Sequence, residues 1–135
     1  MQRILLSLLL TTLTACSADL PSRAWTSSLP VIERAPRPED LTAYPPDASK
    51  AGVNPPGFTW TPADGAKSYR LEIRRPGSKT VLLSTPPQSS TVYPHPAALP
   101  EGEFEYQVVY LNTFGNPLGV SQTRRFSIAA GTAKL

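Results

Sequence analysis

The sequence predicts an all-β chain folded as an antiparallel β-sandwich, and three observations predict it. From Val53 onward apolar and polar residues alternate in short runs, the period of a half-buried strand. Gly, Pro, Asn and Asp punctuate those runs, as connections between neighbouring strands require. No segment keeps an apolar 3.6-residue period over ten residues, and sixteen prolines would interrupt most helices.

The strands follow in order. In "GFTWT", Phe58 and Trp60 share one face and Gly57, Thr59 and Thr61 the other. "SYRLEIR" turns Tyr69, Leu71 and Ile73 inward and Arg70, Glu72 and Arg74 outward. The linking "PADGAK", Pro62 to Lys67, carries the Asp-Gly pair of a tight connection. "TVLLST", Thr80 to Thr85, follows the Pro76-Gly77 turn signal, and a short strand from Ser90 to Tyr93 stops at "PHP". "EFEYQVVYLN" is the longest strand, with Phe104, Tyr106, Val108 and Tyr110 on one face and Glu105 and Gln107 toward water. After the turn-rich "NTFGNPLG", "TRRFSIA" presents Phe126 and Ile128 inward. About six or seven strands in roughly 80 residues, with an early Trp and no cysteine pair, describe a sandwich.

Ahead of the sandwich lie two other segments. Met1 to Arg3 form a short n-region with one positive charge, and Ile4 to Leu13 an apolar run broken only by Ser7, Thr11 and Thr12. Such a run is too short to span a bilayer, which takes about 20 apolar residues, and reads as an export signal. It ends in Leu13-Thr14-Ala15-Cys16, which resembles the lipobox of bacterial lipoproteins. The resemblance implies a diacylglyceryl group on the Cys16 sulfur, cleavage just before Cys16 and an acylated new amino terminus. Ser17, in place of Asp, implies passage to the outer membrane, facing periplasm or exterior. Cys16 is the only cysteine, so it forms no internal disulfide, and acylation removes the liability of a free thiol in an oxidising compartment. From Pro21 to Pro56 eight prolines accompany few large apolar residues, which favours an extended chain. The domain expectation is therefore a signal over 1–15, a lipidated, proline-rich tether over 16–43, the sandwich over 44–129 and a tail over 130–135. Trp25 and Val31-Ile32 are the tether residues able to dock on the folded part.

"NPPGFTWTPADGAKSYRLEI" (Asn54 to Ile73), "LPEGEFEYQVV" (Leu99 to Val109) and "RRFSI" (Arg124 to Ile128) resemble a fibronectin type III-like, and more broadly immunoglobulin-like, module of bacterial surface enzymes. The resemblance implies a core Trp, a partner strand, a strand following a tyrosine corner and a closing strand. Phe104 stands where the corner tyrosine would align; either Tyr106 fills that role in a shifted register or the "PEG" turn replaces it. "VNPP-F-W", Val53 to Trp60, is similar to the amino-terminal sandwich of heparinase II/III-like polysaccharide lyases. That likeness implies an accessory module beside a lyase catalytic part, and it brings no catalytic residue with it.

The chain offers little chemistry of its own. Removing the signal leaves 12 Lys+Arg against 10 Asp+Glu, with the cations scattered, so nucleic acid is not expected as a partner. The single histidine, His95, sits between two prolines. With carboxylates alone it falls short of the three or four ligands of a zinc site, and no metal or cofactor is expected. Glu101, Glu103 and Glu105 are expected to point to solvent together, and no serine lies in a GxSxG elbow. No catalytic residue is therefore assigned. The candidates for binding a polysaccharide are the rings of Phe114, Tyr44, Trp25 and Tyr93, which could stack on sugars, and the doublets Arg74-Arg75 and Arg124-Arg125, which could meet an anionic polymer. Phe114 is expected to pack over the open end of the core, and the arginines to be solvated strand ends.

Overall fold

The computed structural model describes residues 23–134. The residues read as an export signal, Cys16 and the first residues of the proline-rich segment lie outside the described residues. The described chain is all-β, without a helix, and its sheets are mixed.

Ten strands are described: β1 (Ser49–Lys50), β2 (Val53–Asn54), β3 (Gly57–Thr59), β4 (Ser68–Arg74), β5 (Leu83–Ser84), β6 (Val92–Pro94), β7 (Gly102–Leu111), β8 (Pro117–Val120), β9 (Arg124–Ile128) and β10 (Ala133–Lys134). The main sheet runs β1-β9-β7-β4-β5, with β8 pairing the far end of β7. Strand β7 is its axis, antiparallel to β4 from Ser68↔Leu111 to Arg74↔Glu105 and to β9 from Gly102↔Ile128 to Tyr106↔Arg124. The second layer is the antiparallel pair β3–β6, in register at Phe58↔Tyr93, with Tyr44 bridged to Thr59 on its other side. Two parallel pairings, β1 with β9 and β10 with β2, make the sheets mixed.

The alternation of β4, β7 and β9 supplies the core. Phe58 and Trp60 from one layer and Leu71, Ile73, Phe104, Tyr106, Val108, Tyr110 and Phe126 from the other are almost wholly buried. Phe126 sits at the centre, with ring centroids 5.3 Å from Phe104, 5.7 Å from Phe58 and 5.9 Å from Tyr106. The contacts with Phe58 and Tyr106 are edge-to-face and that with Phe104 is stacked, and both kinds add to what the buried area provides. Burial pushes the hydroxyls of Tyr106 and Tyr110 well above the ordinary tyrosine range.

The expected elements are present, and two are paired over much less than their pattern. Strand pairing in "TVLLST" is confined to Leu83–Ser84, and in "GFTWT" to Gly57–Thr59. The Tyr106 hydroxyl donates to the Pro45 carbonyl at 2.5 Å, 61 residues upstream, so it ties the incoming chain to the core and makes no local corner. Val109 and Leu111, on the opposite face of β7, are also buried and form a second apolar cluster with Val120 and Leu29.

That second cluster exists because the main sheet is covered on its outer face. Residues 23–33, read from the sequence as part of a tether, cross it as a strap. Trp25 N–H donates to Lys79 C=O and Val81 N–H to Arg23 C=O, both at 2.9 Å, at the β5 edge. Thr26 lies over β4 and β7, and beyond it Ile32 N–H donates to Val120 C=O while Val120 N–H donates to Pro30 C=O. Extended, proline-containing chain has no ladder of its own, and here its backbone groups find partners on the sheet. Gly119 permits the close approach: a Cβ there would lie 2.7 Å from the Pro30 carbonyl oxygen. The chain then rounds the edge and joins the other layer, with Thr61 Oγ1 donating to Leu41 C=O and Thr59 Oγ1 to Thr42 C=O.

Phe126→Ala removes the ring on which three others rest. It is expected to cost about 3–5 kcal/mol, measured as a lower urea midpoint at unchanged slope.

Candidate functional site

The polar residues of β4 and β7 that alternation turns outward face the strap, not water. Glu72 is fully buried. Its Oε1 accepts from Thr26 N–H at 3.1 Å and from Gln107 Nε2 at 2.9 Å, and its Oε2 from Thr26 Oγ1 at 3.0 Å. Gln107 Nε2 also donates to the Thr26 carbonyl at 2.8 Å, so Thr26 is held through its N–H, C=O and hydroxyl together. Arg70 supplies the nearest positive charge, 3.7 Å from Glu72 Oε2, and burial pulls its guanidinium below the ordinary value.

One step along the sheet the Arg74 guanidinium lies 4.0 Å from the centroid of the Trp25 ring and donates through Nε and Nη2 to Glu105 Oε2, at 3.2 and 2.9 Å. Arg125 donates to Glu105 Oε1 at 3.2 Å. Glu105 is thus buried, unlike Glu101 and Glu103, and the expectation that the three point to solvent together fails because Arg74 and Arg125 close over it. Burial raises the Glu105 pKa, but the hydrogen bonds and charges of Arg74 and Arg125 outweigh it and hold the carboxyl below the ordinary range. At the far edge Arg124 forms a bidentate pair with Glu33 of the strap, at 2.6 and 2.8 Å, which raises its pKa.

The arginine doublets are therefore mostly engaged within the fold. Arg75 donates to the Glu101 and Glu103 carbonyls and stacks 4.2 Å from the Phe104 centroid. Arg125 alone keeps a largely exposed side chain, beside an open cleft of about 170 Å³ lined by Ala48, Ser49, Glu103, Phe126 and Ser127.

The four candidate aromatics occupy four different places. Trp25 is buried under Arg74. Tyr44 is exposed in the cross-strand row Tyr44↔Thr59↔Val92 on the outer side of the small sheet. Tyr93 pairs with inward-facing Phe58 and so faces the other way, 3.2 Å from His95 Nδ1 through its hydroxyl. Phe114, 86% exposed at the tip of the β7–β8 turn, does not pack over the end of the core as expected. The Asn112 side chain accepts the N–H groups of Phe114 and Asn116 and so closes the turn beneath the ring.

His95 borders an open cleft of about 230 Å³ walled by Pro55, Pro56, Gly57, Pro94 and Pro96, and burial lowers its pKa. Among the described residues no three His, Cys, Asp or Glu side chains form a group able to hold a metal ion. No helix of the described residues is long and apolar enough to cross a membrane.

Sequence reasoning missed Thr26, Glu33, Glu72 and Gln107 as a unit. The signal was Trp25, a large apolar residue in a polar, proline-rich stretch. No known protein-family model matches the chain, and no curated protein does so.

Thr26→Ala removes one donor from a buried carboxylate. A loss of about 1.5–3 kcal/mol is expected, read by urea unfolding, with β-rich circular dichroism retained. For Glu105, whose folded pKa is depressed, the stabilisation is present above the ordinary carboxylate range and is lost as pH falls through the lower folded value. Wild-type urea midpoints should therefore fall more steeply than those of Glu105→Gln as pH drops below about 4.3.

Proposed function

We propose that this chain is a lipid-anchored β-sandwich module of fibronectin type III or immunoglobulin-like type, without catalysis of its own, that serves as the accessory module of a heparinase II/III-like polysaccharide lyase system. The observation that carries the non-catalytic reading is the engagement of the charged side chains. Glu72, Glu105, Arg74, Arg75 and Arg124 all hold the fold or its strap, and none is presented to a substrate.

The sandwich type is supported by the order of pairing. The two strands joined by the Asp-Gly connection, β3 and β4, lie in different layers, β3 with β6 and β4 with β7, and β9 closes the larger sheet beside β7. After the strap, the chain pairs with β3 through Tyr44 and then with β9 through β1, passing from one layer to the other. The accessory role rests on the "VNPP-F-W" likeness, whose Phe58 and Trp60 are core residues here. The membrane attachment rests on the Leu13-Thr14-Ala15-Cys16 motif.

A second reading, a stand-alone carbohydrate-binding lipoprotein, draws on Phe114, the most exposed large apolar side chain described. A platform for a sugar chain needs a second ring on the same surface, and the other candidate rings lie elsewhere.

The test combines location and turnover. A palmitate analogue should label the wild type and not Cys16→Ala, and the variant should leave the membrane fraction. Incubation with uronate polymers should yield no unsaturated, ultraviolet-absorbing product. Equal membrane association of the variant, or appearance of that product, would contradict the proposal.

A further inference from the structure

The strap meets the sheet at Arg23, whose carbonyl accepts Val81 N–H beside the Ala24↔Thr80 bridge. Six residues separate Arg23 from Cys16. Seven Cα steps reach at most about 25 Å, whatever path they take. No slack is available from the strap, because Trp25, Thr26, Ile32 and Glu33 are each bonded to the sheet. A lipid on Cys16 would therefore keep the β5 edge of the domain close to the bilayer.

That edge has the composition of a headgroup-facing surface. Residues 23–32, "RAWTSSLPVI", and 74–84, "RRPGSKTVLLS", contain no acid. Arg23 and Lys79 are exposed on it, and Leu82, in the same segment as Lys79, is 57% exposed although Leu83 beside it packs on the core. Cations beside a protruding apolar side chain match an anionic lipid surface, where the charges meet phosphates and the apolar group enters the interface. Strand β4 fixes what lies opposite. Its Arg74 end pairs with Glu105 and leads into the 76–82 segment, while its Ser68 end pairs with Leu111 beside the Phe114 turn. Seven extended residues separate the two ends by roughly 20 Å.

We infer that the edge carrying Arg23, Lys79 and Leu82 rests on the anionic headgroups of the membrane that holds Cys16, so that the Phe114 turn points away from the bilayer. The inference rests on the lipidation of Cys16 and adds an orientation to it.

The test uses the full-length lipidated protein in vesicles of phosphatidylethanolamine and phosphatidylglycerol, with an environment-sensitive fluorophore on Leu82→Cys or on Phe114→Cys. Lipidation of Cys16 leaves the introduced thiol as the only free one. The label at position 82 should be blue-shifted and quenched severalfold less by aqueous acrylamide than the label at 114. Adding Arg23→Glu and Lys79→Glu should bring position 82 to the behaviour of 114. A lipid-modified mass with equal quenching at the two positions overturns the orientation alone. An unmodified mass overturns the lipidation reading and the orientation with it.

Discussion

Glu72 stands in the middle of a sheet face, fully buried, and its carboxylate is surrounded by donors from Thr26 and Gln107. A buried carboxylate without partners carries a desolvation penalty of several kcal/mol, so the acid and the residue that covers it depend on one another. The strap needs an anchor, because a proline-containing segment cannot form a ladder within itself. The sheet needs a cover, because β4 carries Glu72, and β7 carries Glu105, Gln107, Val109 and Leu111, on a face that would otherwise lose its apolar contacts and expose its ion pairs. The rest of the outer face follows: Arg74 between Trp25 and Glu105, Leu29 on the second apolar cluster, and Glu33 closing the far edge with Arg124.

The same constraint decides how the charged residues are used. A sandwich of this size without a disulfide has a small core, and a strap that turns one exposed sheet face into a second interior adds to it. Arginines and acids that could have served a polyanion or a reaction are instead paired within that interior. Among the groups left at the surface are the Phe114 turn, the Tyr44–Val92 row, Arg125 beside its cleft, and the β5 edge where the strap meets the sheet. The wrapped strap also changes the mechanical picture of the proline-rich segment, since from Arg23 onward it is part of the domain, and only the residues before it set the distance to Cys16.

The architecture was legible wherever pattern and burial coincide. Tyr69, Leu71 and Ile73, then Phe104, Tyr106, Val108 and Tyr110, then Phe126 and Ile128 alternate as strands with one apolar face, and they line the core. The outer face was not legible for a physical reason. Alternation reports that Glu72, Glu105 and Gln107 are polar, and says nothing about whether water or another part of the chain meets them. Their partner lies 46 residues before Glu72 and 81 before Gln107, with no local period to announce it. The short strands β1, β2 and β10 were missed for a related reason, because two-residue pairings of this kind are set by long-range contact and not by composition. The Phe114 turn was found as a turn, but its exposure depends on the Asn112 bonds that close the backbone beneath it.

The mutual dependence of strap and sheet is tested most directly by native-state hydrogen exchange of the strap amides. Trp25 and Ile32 donate to backbone carbonyls of the sheet and Thr26 to Glu72. All three should exchange only with global unfolding, showing protection equal to that of the central amides of β7. Exchange of those three amides at the rate of an unstructured peptide, with β7 still protected, would mean that the segment is a free tether and that the sheet face stands uncovered.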